Sequence, residues 1–353
     1  MLLSSPAALS AILFLISLLV ALGASSWFTR RLENICDLLA LPDSLLSLLG
    51  ALGANIPNYA ASIVALAHGQ VAEGLGIIIG SNIYNVAIIL AVSTYATSFS
   101  TGIRFNARQA GDARTVGWYT IAILCCTMGS VTMLSFIPTK ISSLTLFPSD
   151  ILIVIFTVLI SVVTLGLFGG LSYHALRRTS HVQHTGYKQE VAPAFVLAER
   201  QKARVGSFRA FGGATLALLT ALGSVVVMVN AGQSFANVVH MPPAILGLLV
   251  LAVATSLPNT VVAFLLARTG RGTACVEEVF SSNSINATLG IALPLLIWRD
   301  ALHDPLLLLL DTPLMIALTL IALWCVQVHR VRHSVALLLF IGYVGWIIVH
   351  LIF

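Results

Sequence analysis

Hydrophobic residues in this chain come in long runs, not in alternation. Ten such runs, at 7–28, 44–68, 74–97, 116–137, 150–173, 210–232, 243–267, 276–298, 306–328 and 335–353, are separated by polar connectors. Each is long enough to cross about 30 Å of hydrocarbon as a helix. The period-two alternation of a membrane barrel is absent, which leaves helices as the spanning element. The first run has no basic residues ahead of it and is too long for the core of a signal peptide, so it counts as a span. The pattern predicts an all-α polytopic membrane protein with ten transmembrane helices.

One polar segment, 175–209, separates five spans (1–174) from five spans (210–353). The two halves are related. Pro42–Ala91 aligns without a gap to Pro243–Ala292 at an offset of 201 (243 − 42), and eleven of the fifty positions are identical. They include Pro57/Pro258, Asn58/Asn259, Gly69/Gly270, Ser81/Ser282, Asn82/Asn283 and Asn85/Asn286. Duplication across an odd number of spans turns the second copy over in the membrane, so two inverted five-helix repeats are expected.

Composition agrees. The chain is 58% hydrophobic and 9% charged, with a mean hydropathy of +0.99, which excludes a soluble domain. Placing the N-terminus outside puts 16 of the 18 basic residues in cytoplasmic connectors, leaving only Lys140 and Arg299 outside; this is the positive-inside bias. The net charge of +5 therefore reports topology, and no nucleic-acid partner is expected. The expected setting is a plasma membrane or bacterial inner membrane, with lipid as neighbour and a monomer or weak homo-oligomer as the assembly. Cys36, Cys125, Cys126, Cys275 and Cys325 lack metal-ligand spacing and read as small buried hydrophobes. His174, His181 and His184 read as solvated residues in or beside the linker.

The shared polar residues lie inside hydrophobic runs, where a polar group must be paired or functional. Pro57 and Pro258 lack an N–H and should disturb their helices one turn earlier, freeing carbonyls near Ala51–Ala54 and Ala252–Thr255. Unwound backbone at membrane depth lines a cavity or is buried in protein. With Asn55, Ser256 and their neighbours, such carbonyls form a hard-ligand cage of the kind inorganic cations prefer. Ser81 and Asn85 share a helix face, as do Ser282 and Asn286. One such pair alone would read as helix-to-helix glue, but its repetition beside a Pro-Asn break points to a site.

These motifs resemble the sodium/calcium exchanger family of the calcium:cation antiporter superfamily. Its repeats each carry a G-T-S-x-P-E break followed by G-S-N-x-x-N or G-S-N-x-x-D. Here the breaks read Gly53-Ala54-Asn55-Ile56-Pro57-Asn58 and Ala254-Thr255-Ser256-Leu257-Pro258-Asn259. The second elements read Gly80-Ser81-Asn82-Ile83-Tyr84-Asn85 and Ser281-Ser282-Asn283-Ser284-Ile285-Asn286. The resemblance implies a secondary-active cation antiporter with Na+ or Ca2+ as substrates and no cofactor. It also implies a core of spans 2, 3, 7 and 8, with spans 1 and 6 as sliding gate helices.

The family's two site glutamates match Asn58 and Asn259, and a further acidic position matches Asn286. The expected site is therefore Ala51, Ala54, Asn55, Asn58, Ser81, Asn85, Ala252, Thr255, Ser256, Asn259, Ser282 and Asn286, all neutral. A divalent ion entering a low-dielectric site needs negative charge, so selectivity should move towards monovalent cations. Amides do not titrate, so protons do not exchange through these positions.

Glu278, four residues before Ser282, could restore a charge as a displaced ion or proton site. It could equally be a helix-start glutamate favoured by the dipole. Its counterpart in the first repeat is Ile77 (77 + 201 = 278). Asp311 reads as an interfacial or helix-pairing group. No nucleotide fingerprint, catalytic triad or HExxH motif is present, so no enzyme activity is expected. The loss of every expected carboxylate leaves an alternative open: a degenerate relative acting as a non-transporting membrane partner.

Overall fold

A computed structural model describes residues 6–38, 51–97, 102–136, 149–184, 207–297 and 304–352. The helices are α1 (Pro6–Leu38), α2 (Ile56–Ala67), α3 (Val71–Ala96), α4 (Ala107–Phe136), α5 (Ser149–His184), α6 (Ser207–Val238), α7 (Pro243–Arg268), α8 (Gly272–Leu296), α9 (Leu307–Gln327) and α10 (His333–Ile352). Among the described residues nine of these are long and apolar enough to span a membrane; α2 is the shorter one. Residues 39–50, where the second predicted span begins, lie outside the described residues.

Why these segments are helical follows from their chemistry. Each is a continuous apolar run whose backbone groups have no water to bond, so the bonds close within the segment. α1 lies along α6, and both present apolar side chains outward, among them Leu15, Leu19, Leu216 and Leu219. α3 and α8 are the most enclosed helices. Gly76 and Gly80, one turn apart on α3, let α7 approach closely: a Cβ on Gly76 would meet the Ala244 carbonyl and Leu248 N, and one on Gly80 would meet Leu248 O and Ala252. Small residues at a spacing of four are the usual device for close helix contact in a membrane.

Three connectors gather on one face. β1 (Ile103–Arg104), between α3 and α4, pairs antiparallel with β2 (Arg330–Val331), between α9 and α10. Gly272, at the start of α8, packs against Ile103. Arg104, Arg268, Arg271, Arg330 and Arg332 belong to these connectors, so they cluster on one side as the alternation of spans requires.

Two expectations need correction. α5 continues as helix to His184, so the expected linker, 175–209, opens on helix that includes His181 and His184, where a connector was expected. Backbone that leaves hydrocarbon near a basic run can keep its helical bonds, so the end of the apolar run does not set the end of the helix. The cysteines are not uniformly buried either. Cys275 and Cys325 are, but Cys125 is exposed on α4.

Candidate functional site

The centre of the molecule is built around Asn55. The chain is helical over residues 51–54, turns at Asn55 and resumes as α2, with Pro57 in its first turn. The break sits where the proline leads one to expect it. It turns the Asn55 amide into the contact between α2, α7 and α8. Asn55 Oδ1 accepts from Asn259 Nδ2 at 2.8 Å and from Asn58 Nδ2 at 3.4 Å. Asn55 Nδ2 donates to the Ala51 carbonyl at 2.8 Å and to Ser282 Oγ at 3.1 Å. Ser81 Oγ donates to Asn58 Oδ1 and to the Ala252 carbonyl, both at 3.4 Å. Asn55, Asn58, Ser81, Asn259 and Ser282 are all enclosed, at 1% exposure or less. The centre is enclosed in protein.

One layer away, four asparagines form a reciprocal set. Asn82 Nδ2 donates to the Asn283 carbonyl (3.4 Å), and Asn283 Nδ2 to the Asn82 carbonyl (3.2 Å). Asn85 Nδ2 donates to Asn283 Oδ1 (2.9 Å), and Asn286 Nδ2 to Asn82 Oδ1 (3.2 Å). Residues 201 positions apart exchange the same bonds, which is a local twofold axis written in hydrogen bonds. The α3 and α8 helices each widen into a π-turn beside these motifs, at Asn85–Ile89 and Thr288–Ala292. Single π-turns inside α-helices are frequent at functional sites.

The remaining expected residues divide. Thr255 Oγ1 bonds back to the Leu251 and Ala252 carbonyls (2.7 and 3.3 Å), and Ala54 carries only a methyl at the matching place. Glu278 joins the cluster indirectly, accepting from Ser282 Oγ at 3.2 Å. Among the expected site residues four buried oxygens have no hydrogen-bond partner: Asn85 Oδ1, Ser256 Oγ, Asn259 Oδ1 and Asn286 Oδ1. A buried acceptor left unmet costs about 1–3 kcal/mol.

The expectation of a symmetric pair of unwound segments with free carbonyls is corrected. α7 runs as helix through Pro258, and its irregularity lies upstream as a π-turn at Leu246–Leu251. The carbonyls themselves are not bare, since Asn55, Ser81 and Thr255 already bond those of Ala51 and Ala252.

Two features leave no mark in the sequence reading, whereas Asp311 pairs helices as expected. Asn82 and Asn283 were seen as shared motif residues but not as part of the site, because a bond across 201 residues leaves no local trace. Glu73, on α3, is 1% exposed, and both its oxygens accept from Gln233 Nε2 on α6 (3.2 and 3.1 Å). Asp311 Oδ1 accepts from Trp346 Nε1 (2.6 Å) and lies 2.8 Å from His350 Nε2, tying α9 to α10 as a helix-pairing group. Among the described residues no cluster of three or more His, Cys, Asp or Glu is placed to hold a metal ion.

An enclosed polar centre in an all-helical membrane bundle is the architecture of secondary transporters. The family profile described as sodium/calcium exchanger protein matches residues 9–169 and 209–351. The chain belongs to the sodium/calcium exchanger family, whose members are integral membrane cation antiporters. Its fold is similar to the sodium-calcium exchanger NCX_Mj soaked with 10 mM Na+ and zero Ca2+, at TM-score 0.59 and 16% identity, covering 97% of this chain and 98% of that one. It is also similar to native YfkE, at TM-score 0.65 and 15% identity, covering 95% and 90%. A search of curated protein sequences finds no match.

Proposed function

We propose that this chain is an alternating-access antiporter of sodium/calcium-exchanger type whose central site takes a monovalent cation in preference to calcium. In this reading 1–174 and 210–353 are the inverted repeats, and Ala51, Ala54, Asn55, Asn58, Ser81, Asn85, Ala252, Thr255, Ser256, Asn259, Ser282 and Asn286 line the site. Glu278 stands one turn away as its nearest acid. The observation that carries the reading is the unmet oxygen set, Asn85 Oδ1, Ser256 Oγ, Asn259 Oδ1 and Asn286 Oδ1. Neutral acceptors held without donors in an enclosed centre are suited to a cation that carries one charge. Calcium prefers about 6–8 oxygens with carboxylates among them, and among the described residues no carboxylate hydrogen-bonds Asn55, Asn58 or Asn259.

The same centre supports a second reading. Asn55 meets its own hydrogen-bonding needs entirely within the protein and bridges α2 to α7 and α8 with no ion required. A sealed centre of this kind suits a non-transporting membrane partner.

Flux into proteoliposomes under imposed sodium, calcium and proton gradients separates the two. Sodium flux without calcium flux, abolished in Asn58→Ala/Asn259→Ala, is the expected result. Sodium-driven calcium flux would overturn the selectivity. No flux of any ion from folded protein would favour the non-transporting partner.

A further inference from the structure

Glu73 is a buried acid that the central site does not use. It stands in the first turn of α3, and the π-turn of α7 lies directly on its backbone: a Cβ on Gly247 would collide with the Glu73 carbonyl. An acid at this position ordinarily faces the free N–H groups of its own helix start. Here Gln70 makes no side-chain cap, and the Glu73 carboxyl is given to Gln233 on α6 instead. No Lys, Arg or His pairs with it among the described residues. Among the described residues, the titratable groups carried at this end by the elements packed on α3 are His68 after α2, His240 before α7, Asp304 and Asp311 at the start of α9 and His350 on α10. His68 and His240 are exposed, Asp304 accepts from the Leu306 and Leu307 N–H groups, and Asp311 is engaged by Trp346 and His350. At the matching position of the second half stands Ala274 (73 + 201).

We propose that Glu73 is a proton-binding site whose protonation fastens α6 to the helix core. An ionised carboxylate shut away from water with one neutral amide for company is expensive. The missing partner is a cation, and the geometry selects the smallest. A metal ion needs several oxygens around it, whereas Gln233 turns its N–H groups towards the carboxyl and occupies the direction of approach. A proton needs no shell: taken from water, it converts the carboxylate to a neutral acid that can stay enclosed against the amide. The closed contact thus belongs to the protonated chain. Loss of the proton to water favours withdrawal of α6, which hydrates the charge. The consequence for transport rests on the alternating-access reading above, in which α6 is a moving helix; the proton site itself does not.

Infrared difference spectra of the purified full chain between acidic and alkaline buffer test the site without any flux. The expected result is a protonated-carboxyl band, lost on raising the pH, absent in Glu73→Gln and shifted in frequency in Gln233→Leu. If neither variant alters the carboxyl bands, Glu73 takes up no proton and the inference fails; Gln233→Leu keeps the acid and decides the point should Glu73→Gln fold poorly. In proteoliposomes, flux of the wild type should vary with pH while that of Glu73→Gln does not. An unchanged pH profile beside a lost band would overturn the coupling to α6. Absence of all flux would count against the antiporter reading and leave the infrared result to stand.

Discussion

Asn82 and Asn283 each give a side-chain N–H to the other's backbone and take one from the partner's neighbour, so neither amide is replaceable alone. Asn283→Ala leaves the Asn85 amide N–H without its partner and takes from the Asn82 carbonyl one of its two bonds, the other coming from the Asn85 backbone N–H, at about 1–3 kcal/mol for the unmet amide. Asn82→Ala does the mirror-image damage. Asn85→Ala and Asn283→Ala, by contrast, remove the same side-chain bond, so the double variant of these two should lose clearly less than the sum of the singles. Thermal unfolding of the four proteins in one detergent measures this, and strict additivity would mean the bridge contributes nothing as a unit. At this scale the repeated residue types were legible: Asn58/Asn259 and Ser81/Ser282 are buried around Asn55, and Asn85/Asn286 are buried in the layer beside it. What could not be read is which amide becomes the hub. Asn55 has Ser256 as its counterpart, and only the packing of α2 against α7 and α8 brings its longer side chain across. Glu73 was missed for a plainer reason: the apolar run was taken to start at residue 74, which left the acid in a connector.

At the scale of elements, the molecule depends on how closely α7 can lie on α3. Gly76 and Gly80 form the flat strip, and the widened turn Leu246–Leu251 is what rests on it. A methyl at residue 80 would sit 2.8 Å from Ala252 Cβ as well as against the Leu248 carbonyl, and backbone cannot give way as a flexible side chain can. Gly80→Ala is therefore expected to destabilise by roughly 1–3 kcal/mol. Gly23→Ala on α1, where nothing stands within 4 Å, should be neutral or slightly stabilising, since it also improves helix propensity. Comparing the two unfolding midpoints checks the argument, and equal midpoints would remove the close approach as a source of stability. The spans themselves were readable because hydrocarbon imposes one rule on every residue it touches. The π-turns were not, because a single extra residue in a turn changes neither composition nor period. For the same reason Pro258 reads in the sequence like a break, whereas α7 carries its irregularity at Leu246–Leu251, about two turns upstream.

For the whole molecule, two independent lines agree on which connectors share a side. The arginines assign one set of connectors to the cytoplasm by charge alone. Separately, β1 pairs with β2 and Gly272 packs on Ile103, which brings the connectors after α3, α7 and α9 together by geometry. His68 and Gln70, beyond α2, belong to the other set, as does the turn at His240 between α6 and α7. Agreement of charge and contact makes absolute orientation a single binary question, because fixing one connector fixes all of them. His68 and Arg332 are both exposed and belong to opposite sets. A cysteine at His68→Cys should react with a membrane-impermeant maleimide added to intact cells, while one at Arg332→Cys should react only after the membrane is opened, each read against the native cysteines. The reverse pattern would turn the molecule over, placing the arginine cluster outside and the Glu73–Gln233 contact on the cytoplasmic side. Labelling of both from outside would break the alternation of spans on which the ten-helix reading depends. With the expected pattern, the proton site at Glu73 lies towards the outer face and Glu278 towards the inner one, on opposite sides of a centre that carries no charge of its own.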